Sequence, residues 1–265
     1  MAESIGDLTR KTVLAHRILA LTGNMGTTTG HVFVRVPGTN EFLARGRRDG
    51  DYSPTWTGYA AFHRVNIDDG KAAGEWEDWI MPPERHIAMP ILKNRPDINV
   101  VIHAHPQFQV LCSITGVELR PILGSPYGHE AVKLALEGIP TYERSSLIAS
   151  VELGDGVFKA IGNKTVCVLS AHGNVVCGRT VEEATLRAVS VEFLARHCWM
   201  VASAGLKAPD IRQDDIDEML NPKQPAAIER RDAGVRAGGN FEWDYYVSLL
   251  EKGGDVPAEA LLRNR

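Results

Sequence analysis

Two stretches of this chain carry residues whose types and spacing suit metal chemistry. One is Val100-Val101-Ile102-His103-Ala104-His105-Pro106, and the other, far downstream, is Leu169-Ser170-Ala171-His172-Gly173. The β-branched run before His103 predicts a buried strand with both histidines at its end. Side chains at i and i+2 on a strand share a face. A third imidazole arriving from a second strand end would complete a three-nitrogen set. Such a set holds a divalent ion and leaves a coordination position open for substrate. The competing reading of an H-A-H triplet is a pair of packed or exposed histidines. Two details favour the metal. Pro106 stops the strand directly after the pair, and His172 follows a second apolar run, 165–169, before Gly173.

The bulk properties mainly exclude. A chain of 265 residues can bury a full core, and its net charge of −4, without any long Lys/Arg run, offers no basic surface for nucleic acid. Four cysteines (Cys112, Cys167, Cys177, Cys198) lie in apolar contexts without CxxC spacing, so they read as reduced core residues. The polar, charged N-terminus is not a signal sequence and no apolar run approaches membrane-spanning length, so a cytoplasmic protein is expected. Neither GxGxxG after the first strand nor GxxxxGK[ST] occurs, so no nucleotide or organic cofactor is expected.

The elements that must position the histidines alternate along the chain. Val13, Leu14, Ile18 and Leu21 fall at helical spacing over residues 8–21, and Gly23-Asn24 stops them. Residues 31–36 and 41–44, joined by Pro37-Gly38-Thr39-Asn40, read as a hairpin. A further strand is expected at 62–67, and a helix opening at Pro82-Pro83 is expected to reach about 94 with Pro90 kinking or shortening it. Helices are also expected at 107–114, 129–137, 150–161 and 213–220, with strands at 119–123, 165–169 and 175–177. Thr180-Val181-Glu182-Glu183 is a capping box that opens a long helix to about 204. Mixed strands with helices between them indicate a layered α/β domain. Residues 1–210 are expected to form its catalytic part, and 211–265 a helical tail packing on the same domain or on a neighbouring subunit.

Several pieces, in this order, resemble the class II aldolase/adducin-like family of metal-dependent sugar-phosphate aldolases, epimerases and decarboxylases. They are Gly30-His31-Val32-Phe33-Val34-Arg35, Pro83-Glu84-Arg85-His86, Ile102-His103-Ala104-His105-Pro106, Ala171-His172-Gly173-Asn174-Val175-Val176 and Gly178-Arg179-Thr180-Val181-Glu182-Glu183-Ala184. The resemblance covers about residues 10–205. It implies an α/β/α fold with a central mixed, mostly antiparallel sheet, and His103, His105 and His172 as metal ligands. It also implies Glu84 as the acid/base and a homotetramer with active sites at subunit interfaces.

The departures bear on substrate. Sugar-phosphate aldolases of the family carry Gly-Asn-x-Ser at the first strand and Ser-Ser-Glu before the helix, groups that cradle phosphate. Here those positions are Gly30-His31-Val32-Phe33 and Pro82-Pro83-Glu84. Proline has no N–H to donate and Phe33 has no hydroxyl, so a phosphate loses most of its donors. The Gly-His-Val form and the segment 127–148 are similar to the branch that decarboxylates hydroxylated aromatic acids of dihydroxyphthalate type.

A small hydroxy-carboxylate is therefore the expected partner. One divalent ion, zinc or manganese with iron as the alternative, would stabilise charge on a phenolate or enolate oxygen as the C–C bond breaks. Glu84 is the candidate proton donor, although a glutamate at a helix N-terminus is also what the dipole favours. His31 can meet a carboxylate or phenolate or be merely a polar strand entry. His86 can share the proton work or be the next turn of its helix. Thr29 and Tyr127 complete the expected substrate contacts. An aldolase, a non-haem iron oxygenase and a non-catalytic scaffold stay open beside the decarboxylase. Oxygenases prefer two histidines and a carboxylate, and scaffolds of the adducin branch usually lack the metal ligands.

Overall fold

The computed structural model describes residues 3–51, 53–124, 129–221, 223 and 241–252. Helix α1 (Ile5–Leu21) is followed by β1 (His31–Arg35), β2 (Glu41–Arg45) and β3 (Phe62–Asn66). Next come α2 (Arg85–Asn94), β4 (Val100–Ala104), α3 (Gln107–Thr115), α4 (His129–Glu137), β5 (Thr141–Tyr142) and α5 (Val151–Ile161). The remaining elements are β6 (Val166–Leu169), β7 (Gly173–Gly178), α6 (Val181–Ser203), α7 (Gln213–Leu220) and α8 (Phe241–Glu251).

The strands form one sheet in the order β3-β2-β1-β4-β7-β6-β5, antiparallel throughout except for the parallel β5–β6 pair. Alternation along the strands splits the core in two, as a period of two requires. Val32, Val34, Val100, Ile102 and Val176 face α1 and α6, whereas Phe33, Val101, Val175 and Cys177 face α2 and α5. The result is the α/β/α layering expected, with the sheet apolar on both faces. All four cysteines are free and buried. Among the described residues no helix is long and apolar enough to cross a membrane.

The long helix α6 begins as its capping residues dictate. Thr180 Oγ1 accepts from Glu183 N at 3.1 Å, but the Glu183 carboxylate reaches Arg179 N (2.7 Å), one residue before the cap. Of the C-terminal elements, α7 packs through Ile216 and Met219 on Val132 of α4. Trp243 of α8 is buried with the core residues of α1 and α6, while Phe241 and Tyr245 of the same aromatic cluster are exposed.

Three expectations need correction. Residues 119–123 form no strand: Pro121 lacks an N–H for a ladder, and Leu119, Ile122 and Leu123 pack instead on Leu194 and Cys198. Helix α2 starts at Arg85, because Pro82-Pro83-Glu84 form a turn closed by long bonds of 3.3 and 3.5 Å. Pro90 does not shorten that helix. The carbonyl its missing N–H would have engaged is that of His86, and there Gly154 of α5 approaches so closely that a Cβ would lie 2.0 Å from the oxygen.

Candidate metal centre

His103 lies in the middle of the sheet, paired with His31 of β1 on one side and Val175 of β7 on the other. Its ring is fully buried, and Nδ1 lies 2.8 Å from the carbonyl oxygen of Asn174. A carbonyl only accepts, so Nδ1 carries a proton and Nε2 is left facing Glu84 Oε1 at 3.1 Å. His105 falls one residue beyond β4, where its N–H turns to Asn24 O (3.1 Å). Thr29 donates its hydroxyl to Gly26 O (3.1 Å) and accepts from His105 Nδ1 (2.9 Å), which leaves His105 Nε2 free. The proposed substrate contact Thr29 is therefore engaged in orienting a histidine.

His172 sits in the turn between β6 and β7, with its N–H bonded to Leu169 O (3.0 Å). Ala171 before it adopts a left-handed φ of 53° and is held by Ser113 Oγ at 3.1 Å. Gly173 after it has no room for a side chain, since a Cβ would lie 2.2 Å from Ala104 O. That close crossing of β7 over the end of β4 brings the three rings together. Their centroids are 4.7, 5.0 and 5.1 Å apart.

Glu84 completes the group. It is 4% exposed, and its Oε1 lies 3.5 Å from His172 Nε2 as well as 3.1 Å from His103 Nε2. One ligand atom from each of Glu84, His103, His105 and His172 falls within 4.8 Å of every other. A tetrahedron of ligands about 2.1 Å from an ion has edges of about 3.4 Å, so side-chain adjustment alone closes the group. The chemistry fits a cation. A neutral His103 with Nδ1 protonated points a lone pair at the carboxylate, an arrangement that is repulsive unless a proton or a metal ion lies between them.

Electrostatics agree. Burial pushes the Glu84 carboxyl up, but the surrounding imidazoles of His103, His172 and His31 outweigh it and hold the group well below the usual carboxylate range. Burial drops His105 from 6.5 to about 3, keeping it in the neutral form a metal requires.

The other expected residues divide. His31 is buried beside the group, stacked on Phe33 (5.4 Å), with Nε2 3.6 Å from Glu84 Oε2 and no hydrogen bond at either ring nitrogen. His86 is part-exposed and is not brought into the group. Tyr127 lies outside the described residues. Sequence reasoning missed a buried polar chain behind His103. Asn174 Nδ2 donates to Gln109 Oε1 (3.0 Å), and Gln109 Nε2 donates to Glu192 Oε2 (3.3 Å). Glu192 of α6 also accepts the backbone N–H groups of Phe108 and Gln109 at 2.9 and 3.2 Å, capping α3 directly after His105-Pro106. Asn174, adjacent to His172-Gly173, was the available signal for it.

A three-layer fold with three imidazoles and a carboxylate gathered at the ends of the central strands points to the class of protein. Residues 10–199 match the Class II Aldolase and Adducin N-terminal domain, and the chain belongs to that family. It is 34% identical over 208 residues to a 3,4-dihydroxyphthalate decarboxylase of Arthrobacter keyseri, covering 78% of this chain and 83% of the relative. It is likewise 34% identical over 203 residues to one of Terrabacter sp., covering 76% and 84%. An aldolase II superfamily protein from Pseudomonas syringae shares the fold with a TM-score of 0.70 at 19% identity, over 89% of this chain and 94% of the other.

Proposed function

We propose that this chain is a metal-dependent carboxy-lyase that removes CO2 from a hydroxylated aromatic acid. The observation that carries the reading is the Glu84–His103–His105–His172 group, in a chain whose relatives over three quarters of its length are named decarboxylases. A divalent ion held by His103, His105 and His172 would supply Lewis acidity toward a substrate oxygen beside the departing carboxylate. Imidazoles suit zinc or iron and a carboxylate suits manganese, and zinc or manganese is our preference. The resemblance further supports a cytoplasmic homotetramer.

The residues then divide the work. Glu84, ionised and buried, accepts the proton of the substrate's phenolic hydroxyl as that oxygen binds. When the C–C bond breaks, CO2 leaves and the electron pair stays on the ring carbon. Glu84 returns its proton to that carbon, and a proton from water restores the phenol on release. His31 donates an N–H to the substrate, and Phe33, fully buried and stacked on His31, gives an aromatic wall. Pro82 and Pro83 replace donors a phosphate would need, which supports an unphosphorylated substrate.

The test is CO2 release from a panel of hydroxybenzoates and hydroxyphthalates by metal-reconstituted protein. Turnover of the aromatic acids, lost on chelation and regained with metal, is expected. Efficient cleavage of ketose or aldose phosphates, with no CO2 from any aromatic acid, would overturn the reading.

A further inference from the structure

The imidazoles of the centre are braced by a helix to which none of them belongs. Helix α3 starts two residues after His105, and its first turn is fastened to α6: Glu192 accepts the backbone N–H groups of Phe108 (2.9 Å) and Gln109 (3.2 Å). Positions 109 and 113 lie one turn apart on a single face of α3, and both side chains reach the turn that carries His172. Gln109 Oε1 accepts from Asn174 Nδ2 (3.0 Å), two residues after that histidine. Ser113 Oγ accepts the N–H of Ala171 (3.1 Å), the residue before it, and donates to Val110 O (2.7 Å). One helix thus grips the chain on both sides of His172.

The polar chain has a direction. A carboxylate only accepts, so Glu192 draws Gln109 Nε2 toward itself (3.3 Å) and turns Oε1 to Asn174. With its side chain fixed in this way, Asn174 presents the carbonyl that His103 Nδ1 meets at 2.8 Å. That bond sets the tautomer and aim of the ring, leaving Nε2 for the Glu84 group. Two features make the arrangement unfavourable for the fold alone. Asn174 Oδ1 is buried without a hydrogen bond, and Ala171, which is no glycine, stands at φ 53°. Unmet buried acceptors and left-handed backbone persist where the surroundings impose them, and such places cluster at functional sites.

We propose that Gln109 and Ser113 are positioning residues for the metal centre, with Glu192 anchoring the helix that carries both. Gln109 fixes His103 through Asn174, and Ser113 fixes the backbone on which His172 stands. The inference rests on the metal reading of the site and is independent of the substrate.

The test uses the full chain with zinc alone as the probe, its affinity measured by competition with a chelator. Gln109→Met keeps the bulk and removes both amide bonds, and Ser113→Ala removes the hydroxyl. Each should weaken zinc by about 10–100-fold, the usual cost of losing a group that orients a ligand. Cys112→Ala is the comparison, on the same helix but with its Sγ on Ala195 O of α6 (3.5 Å). It should lower the melting temperature and leave zinc affinity unchanged. In the metal-free protein, long-range proton–nitrogen spectra of labelled histidine report the ring tautomers. Wild type and Ser113→Ala should show His103 protonated at Nδ1, and Gln109→Met a mixture of tautomers. Wild-type zinc affinity in both variants, or an equal loss in Cys112→Ala, overturns the proposal. Should Gln109→Met not fold, Ser113→Ala, at a half-buried position, decides by its zinc affinity. If wild type binds neither zinc nor manganese, the metal reading fails. The His103 tautomer in Gln109→Met then decides the positioning role by itself: a mixture upholds it, and an unchanged Nδ1–H overturns it.

Discussion

Gly173→Ala is the most direct test of how the fold builds the centre. The new Cβ would lie 2.2 Å from Ala104 O and 3.0 Å from His105 Cδ2, where ordinary contact begins near 3.4 Å. Ala104 ends β4 and pairs with Asn174, and His105 follows it directly, so about 1.2 Å must be found by separating two central strands. Overpacking of this kind costs about 1–3 kcal/mol. At about 2–4 °C per kcal/mol for a chain of this size, the melting temperature should fall by about 2–12 °C. The larger effect is local, because His172 precedes the glycine and His105 follows the carbonyl it would strike. A metal-affinity loss of about 10–100-fold is expected, as when the groups that orient ligands are disturbed. Competition with a chelator of known affinity, read by metal-to-protein ratio, measures it. Gly178→Ala is the control: at the far end of β7 its Cβ would lie 2.8 Å from Ala184 N, and it should cost stability while leaving metal affinity alone. A Gly173→Ala protein that holds metal as tightly as wild type, or a Gly178→Ala protein that loses it equally, would refute the reasoning.

Two further outcomes follow from the buried titratable groups. Glu84→Gln keeps shape but removes the transferable proton, so turnover should fall about 10²–10⁴-fold with metal content retained by three imidazoles. Loss of the metal, seen by elemental analysis, would instead make Glu84 chiefly a ligand. His16 donates from Nδ1 to Thr12 O (2.9 Å) and accepts Val32 N–H at Nε2 (3.2 Å), and burial lowers it from 6.5 to about 3. The unfolded chain therefore takes up a proton at His16 below about pH 6.5 that the native chain refuses until about pH 3. Its contribution is intact above that window and is lost on acidification, at up to about 1.4 kcal/mol per pH unit. His16→Gln, which can imitate both bonds, should flatten the slope in urea melts between pH 7 and 4.5, and an unchanged slope would argue against this assignment.

The parts legible in the sequence were those with local causes. Thr180 and Ser150 announce their helices as caps, and β-branched runs lead to His103 and the turn of His172. What was not legible depended on distant partners. Strand β5 is only two residues held by parallel pairing with β6, too short to leave a pattern. Leu119–Leu123 has strand-like composition, but Pro121 and the apolar surface of α6 decide against a ladder. Pro90 reads as a helix breaker, yet Gly154 approaches the carbonyl it frees. Glu192 reads as an outward-facing charge in a long helix, and only the packing of α3 on α6 turns it inward to cap Gln109. Glu84 was recognisable as chemistry-bearing, but that its oxygen falls among the imidazoles required the turn at Pro82-Pro83.

The site straddles three neighbouring strands, β1, β4 and β7, with His31 opposite His103 and His103 opposite Val175. A slip of one residue in β4 would turn His103 to the α1–α6 face while leaving Val and Ile to fill a core on either side. The core itself, apolar on both faces, discriminates weakly between correct and slipped pairing. An ion held by His103, His105 and His172 together, as proposed, would discriminate strongly. Metal capture at these residues would thus act as proofreading of sheet assembly, favouring chains whose central strands have found their native alignment.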